Sequence, residues 1–268
     1  MEGCAGNLET WVKQKVEFLK KELKGRPFFW SGEDPRHLAF ARVLGAKTAA
    51  SLAGQFKKKL FDTLVHLCKK GSVNLPYEQD RRSPIKYIYD TIDGWFLQEL
   101  VRSWLQVAFS KKFKLVKVEA IGKDADFVFH FKKYTGKEIS SFPDLRISYS
   151  SNDVLHYETY VEVQWSAGGR RSSYHIKENK VFTLCRQAQG VNKKGVFLWF
   201  FPHKGEGCLF ALPCEEVRDK ARRIPHHPPF GGKPVYEINE QFIKSGQFGY
   251  FLLEREPHSR LKELLGPR

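Results

Sequence analysis

The stretch Tyr157–Trp165, with the sequence YETYVEVQW, is the part of the chain from which the fold can be worked out. Apolar and polar residues alternate along it, and alternation with a period of two is typical of a β-strand whose faces have different surroundings. Glu162 and Gln164 then point to one face, and the valines and Trp165 to the other. A charged residue in a strand that otherwise looks buried costs several kcal/mol unless a partner compensates it. Glu162 is therefore the first candidate functional residue.

A second strand is predicted directly after Pro143, in residues 144–149 (DLRISY). Asp144 begins this strand and precedes Glu162 by 18 positions (162 − 144). If the two strands pair, both carboxylates reach one point, and two carboxylates with a backbone carbonyl are ligands that suit Mg²⁺. A metal there can activate water and neutralise charge on a phosphate. The plainer alternative is that Asp144 caps a turn and Glu162 pairs with an arginine such as Arg146.

The remaining chain predicts helices first and a sheet afterwards. Helices are expected over residues 8–23, from Asp34-Pro35, and over 48–70 and 83–110, after which the apolar period changes from near 3.6 to 2. Further strands are predicted at 115–121, 126–131, 195–201 and 208–212, helices at 173–189 and 215–222, and an irregular loop over 225–234. This order predicts an α/β fold, with a mixed central sheet flanked by helices and a helical N-terminal part.

The charge composition indicates which class of molecule the protein binds. The chain of 268 residues has 45 Lys and Arg against 30 Asp and Glu, a formal net charge of +15. Such an excess attracts polyanions, of which nucleic acid is the commonest in a cell. The first twenty residues lack the apolar block of a signal peptide, and no segment predicts a membrane span, so we expect a cytoplasmic protein with no membrane contact. Five cysteines without a CxxC pair argue against disulfides or a zinc ribbon.

Pro143-Asp144 followed by Glu162-Val-Gln164 resembles the motif of the PD-(D/E)XK nuclease superfamily, which includes most type II restriction endonucleases and the Holliday-junction resolvases. The order of helix, hairpin strands, motif strand, helix and strand is similar as well, over roughly residues 83–202. The resemblance implies a restriction-endonuclease-like fold and a nuclease acting on DNA. It also implies that Asp144 and Glu162 bind Mg²⁺, while Gln164 positions the attacking water.

The chain departs from this motif at Gln164, where the family usually has lysine. In the predicted helix over 173–189, Lys177 shares an apolar stripe with Val181 and Leu184, so it would face the sheet and could replace the missing cation. Lys180 is the second candidate. The alternative for Lys177 is a side chain that lays its stem on apolar surface and keeps its charge in water.

Other residues are weaker candidates. The resemblance offers Glu99, on the helix before the core, as an outer metal ligand, although an exposed helical glutamate explains it as well. Asp124 and Asp126 could approach the metal or simply form a turn. Arg170, Arg171 and Lys180 are candidate DNA contacts, since bidentate Arg–guanine pairs are the commonest specific contact.

These observations favour an Mg²⁺-dependent DNA endonuclease. The favoured subtype is a type II restriction enzyme that cuts a short site in double-stranded DNA as a homodimer. The alternatives are a repair or recombination nuclease on the same core, or an inactive nucleic-acid-binding module. We expect a helical N-terminal region (1–82) for DNA recognition or dimerisation, a nuclease core (83–215) and a C-terminal extension packed on the core (216–268).

Overall fold

The computed structural model describes residues 34–70, 84–110, 115–122, 142–151, 154–166, 172–203, 206–245 and 250–267, with the single residues 14 and 17. The structural statements below concern these residues. Most of the helix predicted over 8–23 and the whole strand predicted over 126–131 lie outside them. So do four candidate site residues, Asp124, Asp126, Arg170 and Arg171.

Three helices come first, as the sequence predicts: α1 (Pro35–Leu44), α2 (Ala46–Lys70) and α3 (Pro84–Ser110). The Asp34 side chain caps α1 by accepting a hydrogen bond of 2.8 Å from the backbone N–H of Arg36, and proline follows at the first helical position. Gly45 separates α1 from α2. Its φ is 90°, a backbone conformation that is unfavourable for residues with a side chain, so glycine suits this position.

Strands and shorter helices form the rest of the chain. The strands are β1 (Leu115–Ala120), β2 (Leu145–Ser151), β3 (Val154–Trp165), β4 (Ser173–Lys177), β5 (Lys193–His203), β6 (Glu206–Pro213), β7 (Arg222–His227), β8 (Lys233–Asn239) and β9 (Phe251–Leu252). The helices are α4 (Glu178–Gln187), α5 (Cys214–Lys220), α6 (Glu240–Ser245) and α7 (Ser259–Leu265), and Pro228–Phe230 is a 3-10 turn.

The central sheet has six strands in the order β1-β2-β3-β5-β6-β9. Only β3 and β5 are parallel, and the connection between them contains β4 and α4; the other neighbours are antiparallel. A mixed central sheet flanked by helices, with a helical N-terminal part, is the fold class that the sequence predicts, and the structure confirms it. The order α3, β1, β2, β3, β4, α4, β5 follows the order expected from the resemblance except for β4, which stands between the motif strand and the helix.

Each face of the sheet has its own core. On one face, α1, α2, α3 and α7 pack around residues such as Phe40, Phe96, Trp104 and Val161. The other face is covered by α4, α5 and a three-stranded sheet of order β4-β8-β7, with Tyr174 in its core. In the described ranges no helix is long and apolar enough to cross a membrane.

Two predicted elements are wrong. The helix predicted over 173–189 begins only at Glu178, since Tyr174 and Ile176 are buried on alternate positions of β4. The irregular loop predicted over 225–234 is instead a hairpin of β7 and β8 around a short turn. Pro225 is tolerated there because β7 is an edge strand, where a missing backbone N–H costs little.

Candidate active site

The start of β2 and the middle of β3 bring the two motif acids together. The antiparallel register pairs Leu145 with Val161 and Arg146 with Tyr160. Asp144 directly precedes Leu145, and Glu162 directly follows its partner Val161. The carboxylate of Asp144 accepts a hydrogen bond from the backbone N–H of Val163, the residue after Glu162, so the two acids lie close together at the β2–β3 junction. The predicted pairing of the two motif strands is therefore confirmed.

Asp144 is held in place by several hydrogen bonds. It is only 4% exposed, and its Oδ2 accepts a bond of 2.7 Å from the backbone N–H of Val163. Its Oδ1 accepts a bond of 2.8 Å from the side-chain amide of Gln98. Its backbone carbonyl accepts from the N–H groups of Ile121 and Gly122. A carboxylate has about four acceptor positions, which is more than these two side-chain bonds use. Asp144 is therefore fixed in orientation, and each of its carboxylate oxygens has more than one acceptor position.

The carboxylate of Glu162 contacts two other candidate site residues, Gln164 and Lys180. Its side chain is 2% exposed, and Oε1 accepts hydrogen bonds from the ammonium group of Lys180 and, at 3.2 Å, from the amide of Gln164. Lys180 belongs to the first turn of α4 and is 24% exposed. Arg146, the alternative partner considered for Glu162, binds Glu119 instead at 2.8 Å. The structure thus joins Glu162, Gln164 and Lys180 in one contact, close to Asp144.

Lys177 does not lie in this contact. It is the last residue of β4 and the N-cap of α4, and its ammonium nitrogen lies 5.6 Å from the centre of the Phe230 ring. The helical stripe that would turn Lys177 toward the sheet does not exist, because residue 177 still belongs to the strand. The lysine that the structure places on Glu162 is Lys180, the second candidate of the sequence.

Glu99 is also directed elsewhere. It forms an ion pair of 2.9 Å with Arg102 one turn later on α3. The preceding residue, Gln98, is the one that reaches Asp144, and it was missed in the sequence. A signal was available, since Gln98 shares the buried side of α3 with Val101 and Leu105, and a polar residue on such a stripe usually has a partner.

Buried polar contacts also anchor the end of β3. Ser166 Oγ accepts a hydrogen bond of 2.8 Å from the indole N–H of Trp199. On the other face, the guanidinium group of Arg36 lies 4.8 Å from the centre of the Trp165 ring. Arg36 in turn forms buried ion pairs with Asp34 at 2.8 Å and with Asp93 at 2.7 Å. The strand that carries Glu162 is therefore held rigidly just beyond the acid.

The donors present fit a hard divalent cation better than a transition metal. Among the residues that the structure describes, no three or more His, Cys, Asp or Glu side chains form a group that could hold a metal ion. Asp144 and Glu162 would therefore supply two oxygen ligands, and main-chain oxygens and water would complete the set. Mg²⁺ is commonly bound in this way, by one or two carboxylates and several waters.

The solved structures that match this chain include two of low similarity. A Holliday junction resolvase from Archaeoglobus fulgidus is 13% identical, with a TM-score of 0.25, over 39% of this chain and 67% of that chain. A nuclease from a fusselovirus is 14% identical, with a TM-score of 0.36, over 63% of this chain and 89% of that chain. No protein-family model and no curated protein matches the sequence. Both likenesses are too low to carry an argument about function.

Proposed function

We propose that the chain is a metal-dependent DNA endonuclease that hydrolyses phosphodiester bonds, with Mg²⁺ held by Asp144 and Glu162. The observation that carries this proposal is the pair of buried carboxylates at the β2–β3 junction, with the ammonium of Lys180 on one of them. Burying an ionised carboxylate costs several kcal/mol unless an opposite charge compensates it. A divalent cation bound between Asp144 and Glu162 would compensate this buried negative charge further.

The roles of the side chains follow from their contacts. A bound Mg²⁺ activates water and neutralises developing charge on the phosphate. Gln98 and the N–H of Val163 fix the carboxylate of Asp144, so that it meets the cation in one orientation. The ammonium of Lys180, which donates to Glu162, would also lie close enough to the cation site to bind a water or a phosphate oxygen there. Lys180 thereby takes the role of the motif lysine, and Gln164 orients Glu162.

The favoured subtype is a type II restriction endonuclease acting as a homodimer on a short palindromic site in double-stranded DNA. The net charge of +15 supports a polyanionic substrate. In this proposal residues 83–215 form the nuclease core, residues 1–82 serve recognition or dimerisation, and residues 216–268 extend the core. Arg170 and Arg171 are proposed to contact bases or backbone.

One observation favours a second function, an inactive nucleic-acid-binding module. Gln164 stands where the motif normally has lysine, and loss of that cation is a way to lose catalysis. The contact of Lys180 with Glu162 weighs against this alternative, because a cation is present at the same carboxylate.

Digestion of phage DNA tests the proposal. Wild type, Glu162→Ala and the surface control Lys220→Ala would be incubated with Mg²⁺ or with EDTA. Discrete fragments from wild type and control, only with Mg²⁺, support a site-specific endonuclease. Cleavage confined to branched or damaged DNA points to a repair nuclease. Intact DNA that is retarded on a gel points to the binding module.

A further inference from the structure

The sheet formed by β4, β8 and β7 has an outer face that the proposed catalytic contacts do not use. Its inner face carries Tyr174, Ile176, Tyr236 and Ile238, all buried in the second core. The register places His175 opposite Glu237, and Glu237 opposite Arg222, on the other side. We call this side the outer face and define it by His175, Lys177, Arg222, His227, Lys233 and Glu237.

The turn between β7 and β8 folds over this outer face. A register shift between Ile224 and His227 bends β7, and Pro228–Phe230 with Gly231 (φ of 65°) reverses the chain. The ring of His227 consequently lies against that of His175, with centroids 4.3 Å apart and the ring planes tilted by 39°. Gly232 is required at the end of the turn, since its φ is 74° and an added Cβ would lie 2.4 Å from Cε1 of His226. The backbone of this turn is therefore shaped to bring the imidazoles together.

Lys177 joins the same group of side chains. Its ammonium nitrogen lies 5.6 Å from the centre of the Phe230 ring, and that ring lies 5.3 Å from the ring of His227. The outer face thus brings together side chains from β4, from β7 and from the turn that follows β7. β4 is distant from the other two segments in the sequence.

The charge of the outer face is positive. Lys177, Arg222 and Lys233 give three positive charges against the single negative charge of Glu237, a balance of +2 (3 − 1) before any histidine is protonated. Glu237 lies 3.4 Å from Arg222 and 3.9 Å from His175. Arg222 is nevertheless 77% exposed, so its charge stays accessible to solvent. Protonation of the two imidazoles raises the charge further, and such a surface is complementary to a chain of phosphates.

The outer face also begins next to the proposed catalytic lysine. Lys177 directly precedes α4, and Lys180 is in the first turn of that helix. Three residues of chain span at most about 11 Å, so the Cα atoms of Lys177 and Lys180 lie within that distance of each other. A nucleic-acid strand with one phosphate at Lys180 therefore has a neighbouring phosphate within reach of Lys177.

We propose that the outer face of the β4–β8–β7 sheet binds the phosphate backbone of DNA beside the cleavage site, with Lys177 and Arg222 as the main contacts and the imidazoles of His175 and His227 as additional donors. This inference rests on the proposed function. It assigns Lys177 to positioning of the substrate and not to the chemical step.

Fluorescence anisotropy with short DNA duplexes in EDTA, where no cleavage occurs, tests this surface. The double variant Lys177→Ala/Arg222→Ala would be compared with wild type over a range of salt concentrations. The control Lys58→Ala removes a lysine that is 80% exposed and paired with Asp62 on α2. Each lost phosphate contact lowers the slope of log K against log salt by about 0.9, so the double variant should lose about 1.8 and bind roughly tenfold more weakly at moderate salt.

The outcomes separate this inference from the proposed function. A reduced slope with an equal loss of affinity on unrelated DNA sequences supports the outer face as a backbone contact. If wild type binds DNA and the double variant binds with the same affinity and slope, the inference is wrong while the proposed function stands. A loss confined to one sequence also contradicts it, because it indicates a base contact. If wild type does not bind DNA, the proposed function itself fails.

Discussion

The ammonium group of Lys180, in the first turn of α4, pairs with the buried carboxylate of Glu162 in β3. In the motif that this chain resembles, the lysine lies on the same strand as the acid, two positions later. Here Gln164 occupies that position and donates to the same oxygen atom of Glu162 at 3.2 Å. A helix that follows the strand therefore brings to the acid the cation that the strand lacks.

Replacement of Lys180 tests whether this residue takes the role of the motif lysine. Lys180→Ala should lower the rate of DNA cleavage by about 10²- to 10⁴-fold, because it removes a proton donor at the reacting phosphate. Lys180→Arg keeps the charge and should lose less. The rate of nicking of supercoiled plasmid at saturating Mg²⁺ measures the effect.

Lys220→Ala is the matched control, since Lys220 is an exposed helical lysine paired with Glu216 on α5. Its nicking rate should equal that of wild type. An unchanged rate in Lys180→Ala, with its fold intact by circular dichroism, would show that Lys180 only neutralises Glu162.

Gln98 should control how tightly the metal binds. Gln98→Leu leaves Oδ1 of Asp144 without its amide donor, and loss of such a partner lowers metal affinity by about 10- to 100-fold. The rate at saturating Mg²⁺ should fall much less than the apparent affinity. Gln98→Glu places a second acid beside Asp144, which raises the pKa of the pair and makes metal binding steeper with pH. If the nicking rate depends on the Mg²⁺ concentration in the same way for wild type and Gln98→Leu, Gln98 does not control how tightly the metal binds.

The sequence of β3 was sufficient to predict the strand and its two faces, because Glu162 and Gln164 alternate with Val161, Val163 and Trp165. The phase of α3 was not used to choose between two neighbouring polar residues. Gln98 lies on the buried side with Val101 and Leu105, whereas Glu99 lies on the half-exposed side with Arg102, and Glu99 was considered because the resemblance offers it. The error at Lys177 has a different cause: Tyr174, Lys177 and Val181 fit a helical spacing, although tertiary packing makes residues 173–177 a strand.

The buried ion pairs of Arg36 should be important for stability. Arg36→Met leaves the carboxylates of Asp34 and Asp93 buried without their guanidinium, and loss of one partner of a buried pair costs about 3–5 kcal/mol. The free energy of unfolding in urea measures this loss. Lys58→Ala breaks the exposed pair with Asp62 and should change it by less than about 1 kcal/mol. Equal effects of the two substitutions would contradict the assigned importance of the buried pairs.

The contact between His175 and His227 predicts a dependence of stability on pH. Burial, and then the positive charge of His227, lowers the pKa of His175, and Glu237 partly opposes this. The unfolded chain therefore binds this proton more readily than the folded chain. The free energy of unfolding should be highest above about pH 6.5 and fall as the pH decreases through the folded-state pKa.

Urea unfolding of wild type and His175→Gln at pH 7.5 and 5.5 measures this effect. The variant should lose less stability between the two values than wild type does. Identical losses would mean that His175 is not the group responsible.

Cleavage of supercoiled plasmid by wild type and Asp144→Asn, over a titration of Mg²⁺, tests the central claim most directly. Asp144→Asn keeps the size of the side chain and removes the charge that holds the cation. The account predicts that wild type nicks or linearises the plasmid only when Mg²⁺ is present, and that Asp144→Asn does not cleave at any concentration tested. Equal cleavage by the two proteins, or cleavage by wild type in EDTA, would contradict it.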